Sequence, residues 1–254
     1  MIMLKNPADI EAMKPACQIS AKALEVAGKF MQPGITTKEI DNEMYKFITQ
    51  SGAKPSFMGQ PNMKGDKFPA TACISVNNQI IHGIPSYKVR LKEGDIVSVD
   101  VGAYYNGYHG DNAYTFAVGK ISAEARQLLD VTEECLKLGI AQAIPGNRIG
   151  EISNAVQQHA ESFGFGVVRE FVGHGVGEHL HEDPEVPNFG KPGRGPRIVP
   201  VMTIAIEPMI NLKGAGVKVL SDGWTTVTES GSISAHFENT IAITESGPKI
   251  LTIV

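Results

Sequence analysis

From Ile96 to Asp111 the sequence alternates apolar with small or polar residues at a period of two, and Asn106-Gly107 interrupts it. That dipeptide between two alternating runs is the strongest short signal for a β-hairpin. With Asn106 and Gly107 as the turn, Asp100 faces Ala113 and Asp111 faces Gly102. The two acids are then diagonal neighbours on one face, with Cβ atoms about 7 Å apart. Two carboxylates converging on a half-buried sheet face repel each other and lose hydration unless a positive charge lies between them. A divalent cation suits that place.

The rest of the chain repeats around this hairpin. Ile10, Met13, Cys17, Ala21 and Leu24 predict a helix from Pro7 to Met31, closed by Pro33-Gly34. Thr36-Thr37 precede a second helical pattern, Ile40, Met44, Phe47 and Ile48, which stops at Gly52. Later, Leu128 to Ile144 runs into Pro145-Gly146, and Ile149, Ile152 and Val156 run to Gly164. Pro33 and Pro145, Glu39 and Glu151, Ile40 and Ile152, and Gly52 and Gly164 are each 112 positions apart. A constant offset predicts two related halves, approximately 1–120 and 121–254, dividing near Gly119 to Ser122.

The strands echo each other as well. His82-Gly83-Ile84 returns as His174-Gly175-Val176, Ile96 to Asp100 returns as Thr203 to Glu207, and Asp111-Asn112 returns as Glu238-Asn239. Each of the four acids falls on the small, polar face of a strand whose reverse face is apolar. The fold predicted is α+β: two pseudo-symmetric halves forming one curved antiparallel sheet, helices on its convex face and acids in its concavity. Pro208 holds Glu207 extended at its strand end. Pro- and Gly-rich residues 184–200, and residues 55–69, predict surface loops.

Asp100, Asp111, His174, Glu207 and Glu238 form the candidate site. A strand-borne acid is usually solvent-facing when taken singly; it is the set that carries meaning. Four carboxylates and one neutral imidazole match two divalent cations. Oxygen-rich ligation with one nitrogen and no sulfur suits Co, Mn, Fe or Zn. Two such ions about 3.5–4 Å apart activate a water and polarise a carbonyl, which is machinery for hydrolysis. Gly173-His174-Gly175-Val176-Gly177 lacks the Lys-Ser/Thr of a phosphate-binding loop.

Composition narrows the partners. Lys plus Arg number 23 against 27 Asp plus Glu, so no basic excess points to nucleic acid. No apolar run approaches a membrane span. Lys5, Pro7 and Asp9 break up the start of the chain, so no signal peptide is expected there. Cys17, Cys73 and Cys135 are widely separated and form no C-x-x-C pair, which points to a reducing cytoplasm.

Seven motifs together resemble the type I methionine aminopeptidases in their short bacterial form. They are Ile81-His82-Gly83-Ile84-Pro85, Val99-Asp100-Val101, His109-Gly110-Asp111, Gly173 to Gly177, His181-Glu182-Asp183-Pro184, Ile206-Glu207-Pro208-Met209 and Phe237 to Ile241. The resemblance implies the pita-bread fold in one catalytic domain, 1–254. It also implies a metal-dependent aminopeptidase that removes the initiator methionine of nascent proteins with a small second residue, through a water activated by two metals. Asp111 and Glu238 would bridge the metals, Asp100 would complete one sphere, and His174 with Glu207 the other. Glu207 would assist proton transfer, while His82 and His181 would bind the peptide and stabilise the tetrahedral intermediate. Phe68, Cys73 and Trp224 match the family's apolar methionine pocket. A monomer in transient contact with ribosomes is expected. Asn239 follows Glu238 where the family often has His, and Leu180 precedes His181 where an aromatic is common.

Two rivals share this frame. A proline-specific peptidase of the same fold usually adds an amino-terminal domain, for which 254 residues are expected to leave no room. A binding module would have lost ligands, whereas all five ligand types are present here.

Overall fold

Asn6 opens the first helix with a reciprocal cap: its side chain accepts the Asp9 N–H at 3.0 Å, and Asp9 accepts the Asn6 N–H at 2.8 Å. Pro7 follows at the first helical position, where a missing N–H costs nothing. The computed structural model, which describes residues 1–253, contains helices α1 (Pro7–Lys29), α2 (Thr37–Gln50), α3 (Ala123–Gln142) and α4 (Ile149–Ser162). Thr36 and Glu39 cap α2 reciprocally, and Glu151 accepts the Arg148 N–H at 3.0 Å to start α4. The offset of 112 read from the sequence thus survives as matching helix starts, at Thr37 and Ile149.

The strands in chain order are β1 (Lys54–Pro55), β2 (Cys73–Val76), β3 (Gln79–Ile81), β4 (Ile96–Tyr105), β5 (Tyr108–Ala117), β6 (Gly166–Val167), β7 (Gly173–Gly175) and β8 (Glu182–Val186). They continue with β9 (Thr203–Ile206), β10 (Met209–Asn211), β11 (Val217–Val219), β12 (Thr226–Thr228), β13 (Ser234–His236), β14 (Glu238–Thr244) and β15 (Gly247–Ile250). Nine of them form one sheet in the order β1-β4-β5-β14-β9-β7-β8, with β2 also on β4 and β15 on β14. All its pairings are antiparallel.

β4 and β5 pair along their whole length, from Ile96 with Ala117 to Tyr105 with Tyr108. Asn106 and Gly107 turn the chain at φ of 49° and 89°, the left-handed pair that a two-residue hairpin needs. Asp100 faces Ala113 and Asp111 faces Gly102, as the spacing predicts. The halves meet where β5 pairs β14, Ala113 opposite Glu238 and Asn112 opposite Asn239.

Two apolar cores mirror the duplication. Leu24, Ile40, Met44, Val97 and Val99 unite α1 and α2 with β4; Leu128, Ile152, Ile204, Ile206 and Ile241 unite α3 and α4 with β9 and β14. On the helix-facing side of the sheet, Ser20 of α1 donates to the Val101 carbonyl at 2.7 Å and contacts Asn112. Asp111, the next residue, turns to the opposite face.

Two segments are more ordered than their composition predicts. Within residues 184–200, expected as loop, Pro184 to Val186 belong to β8, an edge strand pairing Gly173 with Val186 and Gly175 with Glu182. An edge position tolerates the proline's missing donor. Farther on, Asn188 donates to the Glu207 carbonyl at 2.9 Å and Ile198 is fully buried. Within residues 55–69, Pro55 pairs with Ala103, Pro61 bridges Lys67, and Phe57 and Phe68 are buried. In both, tertiary partners supply hydrogen bonds and burial that local propensity does not encode.

Candidate functional site

The sheet face turned away from α1 carries a cavity of about 670 Å³, and Asp100, Asp111, His174, Glu207 and Glu238 all line it. Asp100 and Asp111 come from the β4–β5 hairpin, where Asp100 faces Ala113 and Asp111 faces Gly102, so both point into the cavity. Asp111, His174 and Glu238 each offer a ligand atom within 4.8 Å of the other two. His174 Nε2 lies 3.9 Å from Asp111 Oδ2 and 3.5 Å from Glu207 Oε1. Five residues spread over 139 positions of sequence, Asp100 to Glu238, therefore converge on one point.

Glycine makes the placement of His174 feasible. A Cβ at Gly173 would sit 2.4 Å from the Ala205 carbonyl oxygen, and one at Gly175 would sit 2.2 Å from the Asp183 carbonyl oxygen. The glycines let β7 lie tightly between β8 and β9, so the Gly-His-Gly motif is a close-packing device. His174 Nδ1 lies 2.8 Å from the Gly175 carbonyl, which accepts from it and leaves the Nε2 lone pair directed at the acids.

Electrostatically the cluster favours uptake of a proton or a cation. Burial, then Asp111 and Glu207, push the Asp100 carboxyl well above its ordinary range. Burial raises Asp111 to about 7, and burial with Asp111 as neighbour raises Glu207 and Glu238. Burial also depresses the imidazoles, His174 to about 3 and His82 to about 4, so both are neutral near pH 7. Asp100 Oδ1, Asp111 Oδ1 and Glu238 Oε1 are buried with no hydrogen-bond partner among the described residues. Orphaned anionic oxygens beside a free imidazole lone pair are the donor set a divalent ion satisfies. The residues present fit such an ion.

The other end of the cavity is apolar. Phe57, Phe68, Cys73 and Leu180 form a buried cluster against which Trp224 packs, with the Phe68 and Trp224 rings 5.1 Å apart edge to face. β2 pairs Cys73 directly with Asp100, so this pocket adjoins the acids. Leu180, in place of an aromatic, fills that wall. Asn239 faces away, donating to Thr252 Oγ1 at 3.0 Å.

Both remaining predicted histidines also line the cavity. His82 adopts φ of 59°, a left-handed conformation that costs a non-glycine residue about 1–3 kcal/mol. That backbone sets its ring edge-on to Phe171 at 5.6 Å and to Trp224 at 6.1 Å. The His181 ring stands 4.5 Å from that of His174. Sequence reasoning missed His236, which is 1% exposed and places Nε2 3.6 Å from Glu207 Oε2. Its spacing of two from Glu238 was the available signal. Phe57 and Phe171 were also missed, since isolated aromatics in irregular segments carry no periodicity.

Known proteins place this geometry. The model for metallopeptidase family M24 matches residues 11–245. The chain is 53% identical over 255 aligned residues to a methionine aminopeptidase of Clostridium perfringens, covering all of both chains. It is similar in structure to the methionine aminopeptidase of Thermotoga maritima, with a TM-score of 0.96 and 44% identity over the whole of both chains. The prolidase of Pyrococcus furiosus is more distant, with a TM-score of 0.80 and 25% identity, and the match spans 65% of that chain. The α+β architecture is thus the pita-bread fold. A family model over most of the chain and a full-length relative at 53% identity agree with the acid-and-imidazole cavity: the chain belongs to metallopeptidase family M24 and, within it, to the methionine aminopeptidases.

Proposed function

We propose that the chain is a metal-dependent aminopeptidase that removes the initiator methionine of nascent polypeptides whose second residue is small. The observation that carries the reading is one cavity with two ends, orphaned acidic oxygens at one and a Phe, Cys, Leu and Trp pocket at the other. An unbranched thioether side chain suits the apolar end. Its scissile carbonyl then lies toward the acids.

Asp100, Asp111, His174, Glu207 and Glu238 would hold two divalent ions. Such ions, drawn from Co, Mn, Fe or Zn, supply Lewis acidity and lower the pKa of water. Glu207, beside His174 at the end of β9, takes the proton that the attacking water gives up and returns it to the departing amine. His82 and His181, both held below the usual imidazole range by burial, act as neutral N–H donors to the peptide and to the developing oxyanion. Phe68, Cys73 and Trp224 exclude water from the methionine side chain.

The reading extends to one catalytic domain, 1–254, acting as a cytoplasmic monomer in transient contact with ribosomes. Three free, buried cysteines suit a reducing compartment. No helix among the described residues is long and apolar enough to cross a membrane. The test is methionine release from Met-Ala-Ser by metal-stripped protein titrated with Mn, Co, Fe and Zn. Metal-dependent release there, with none from Met-Trp-Ser or Ala-Pro-Ser, is expected. Cleavage of Ala-Pro-Ser alone would favour a proline peptidase instead.

A further inference from the structure

His236 is a buried imidazole that the chemistry above leaves unused. It is 1% exposed, and neither Nδ1 nor Nε2 has a hydrogen-bond partner among the described residues. A buried polar group in that condition costs free energy unless something nearby completes it. Its backbone has no freedom to escape. Its N–H donates to Thr115 Oγ1 at 2.9 Å, its carbonyl accepts from the same hydroxyl at 2.8 Å, and β13 pairs it with Met209.

The outer oxygen of Glu207 lies beside this imidazole. His236 Nε2 lies 3.6 Å from Oε2, while Oε1 of the same carboxylate faces His174 Nε2 at 3.5 Å. Glu207 therefore stands between two imidazoles, one from β7 and one from β13. Oε1 belongs to the candidate ligand cluster, and Oε2 is left for His236. His236 does not line the cavity, so it touches neither peptide nor ion.

We propose that His236 is a positioning residue, whose neutral Nε2–H donates to Glu207 Oε2 and fixes the carboxylate with Oε1 toward the metal site. Glu207 is an acid whose backbone does not fix it in the sheet. It lies just beyond β9, outside the paired register that fixes Asp100, Asp111 and Glu238, and its side chain is 12% exposed against 3–4% for Asp111. Groups that orient a ligand in this way command about 10–100-fold in metal affinity or activity.

The inference rests on the metal-site reading, so the experiment separates the two. Mn(II) is titrated calorimetrically into metal-stripped parent protein, His236→Leu, His236→Gln and His236→Asn, and kcat and KM are measured for each. A glutamine amide can reach Oε2 as Nε2–H does; an asparagine amide is too short. Leu and Asn are expected to weaken Mn(II) binding about 10–100-fold and lower kcat with KM little changed, and Gln to restore both. If Leu does not fold, the Gln and Asn pair carries the comparison. Parent-like behaviour of the Leu or Asn protein, or equal damage in Gln and Asn, overturns the positioning role. A parent protein that binds no Mn(II) overturns the metal-site reading itself.

Discussion

The two halves start from the same plan and build their acids differently. In the first, Asp100 and Asp111 sit on an uninterrupted hairpin, and the two-residue turn alone fixes their register. In the second, residues 207–237 intervene between β9 and β14 and form β10 to β13, which carry His236 and the approach to Trp224. The registers differ as well. Asp100 faces Ala113, two residues beyond Asp111, whereas the residue facing Thr240, two beyond Glu238, is Ala205. Glu207 lies two residues farther along, past the end of its strand. The first half is thus a rigid acid pair, and the second supplies the longer, adjustable acid together with its supports.

If that contrast holds, the greatest loss comes from the rigid pair. Asp111 lies 3.9 Å from His174 and groups with His174 and Glu238 as candidate ligands, so Asp111→Asn removes a carboxylate from the centre of the cluster. Turnover and bound metal are expected to fall by more than the about 100-fold typical of orienting groups. Methionine release and elemental metal analysis check this; near-parental metal content would break the assignment.

Metal removal comes next. With free ion at about 100 times its Kd, loss of the ion costs about 2.7 kcal/mol. For a chain of this size that is about 5–10 °C in Tm, read by differential scanning calorimetry. pH sharpens the same test. Asp111, raised from 3.8 to about 7, binds its proton more tightly folded than unfolded. Its contribution to metal-free stability is full below about 4 and is lost as pH rises through about 7. His174 runs the other way: lowered from 6.5 to about 3, its contribution is present above 6.5 and is lost as pH falls toward 3. Since an ion must displace the Asp111 proton, Mn(II) affinity is expected to rise with pH up to about 7, with protons released on binding. A pH-independent affinity would contradict it.

The pocket joins the halves, because Phe68 comes from the first and Trp224 from the second. Trp224→Ala opens one wall and forfeits about 1.5 kcal/mol of methionine burial, about tenfold in kcat/KM. Comparison of Met-Ala-Ser with norleucine-Ala-Ser on both proteins checks that the loss follows side-chain burial.

What the sequence made legible follows the same division. Local rules sufficed for the first hairpin: alternation placed Asp100 and Asp111 on one face, and Asn106-Gly107 set the register. The four helices were legible from periodicity and their Pro-Gly and Gly stops, although α3 begins at Ala123, five residues before the Leu128 that the spacing predicts, because its opening residues carry no large apolar side chain. The second half was readable mostly by analogy with the first, through the shared offset. His236 and β8 were not readable because their significance is tertiary. One is a histidine whose partner, Glu207, lies 29 positions earlier; the other is a proline-bearing edge strand that exists only because β7 lies beside it. The resemblance to a family supplied the roles of His82 and His181, which neither spacing nor composition distinguishes from other histidines.

The smallest predicted difference is also the cleanest comparison of the halves. Thr36 and Arg148 occupy equivalent positions, each preceding a fourteen-residue helix with Glu at its third position. Thr36 is buried, its hydroxyl accepts the Glu39 N–H at 3.3 Å, and it donates to the Glu39 carboxylate at 2.6 Å. Arg148 makes no side-chain cap; its guanidinium instead donates to the exposed Gly195 carbonyl at 2.8 Å. Glu151 still accepts the Arg148 backbone N–H, a bond that survives truncation of the side chain. Thr36→Ala is therefore expected to cost about 1 kcal/mol, or about 2–4 °C in Tm, and Arg148→Ala less than about 0.5 kcal/mol. Thermal melts of the metal-loaded variants decide it. Equal shifts would mean that the duplicated helices are held by packing alone, and that the cap difference between the halves carries no stability.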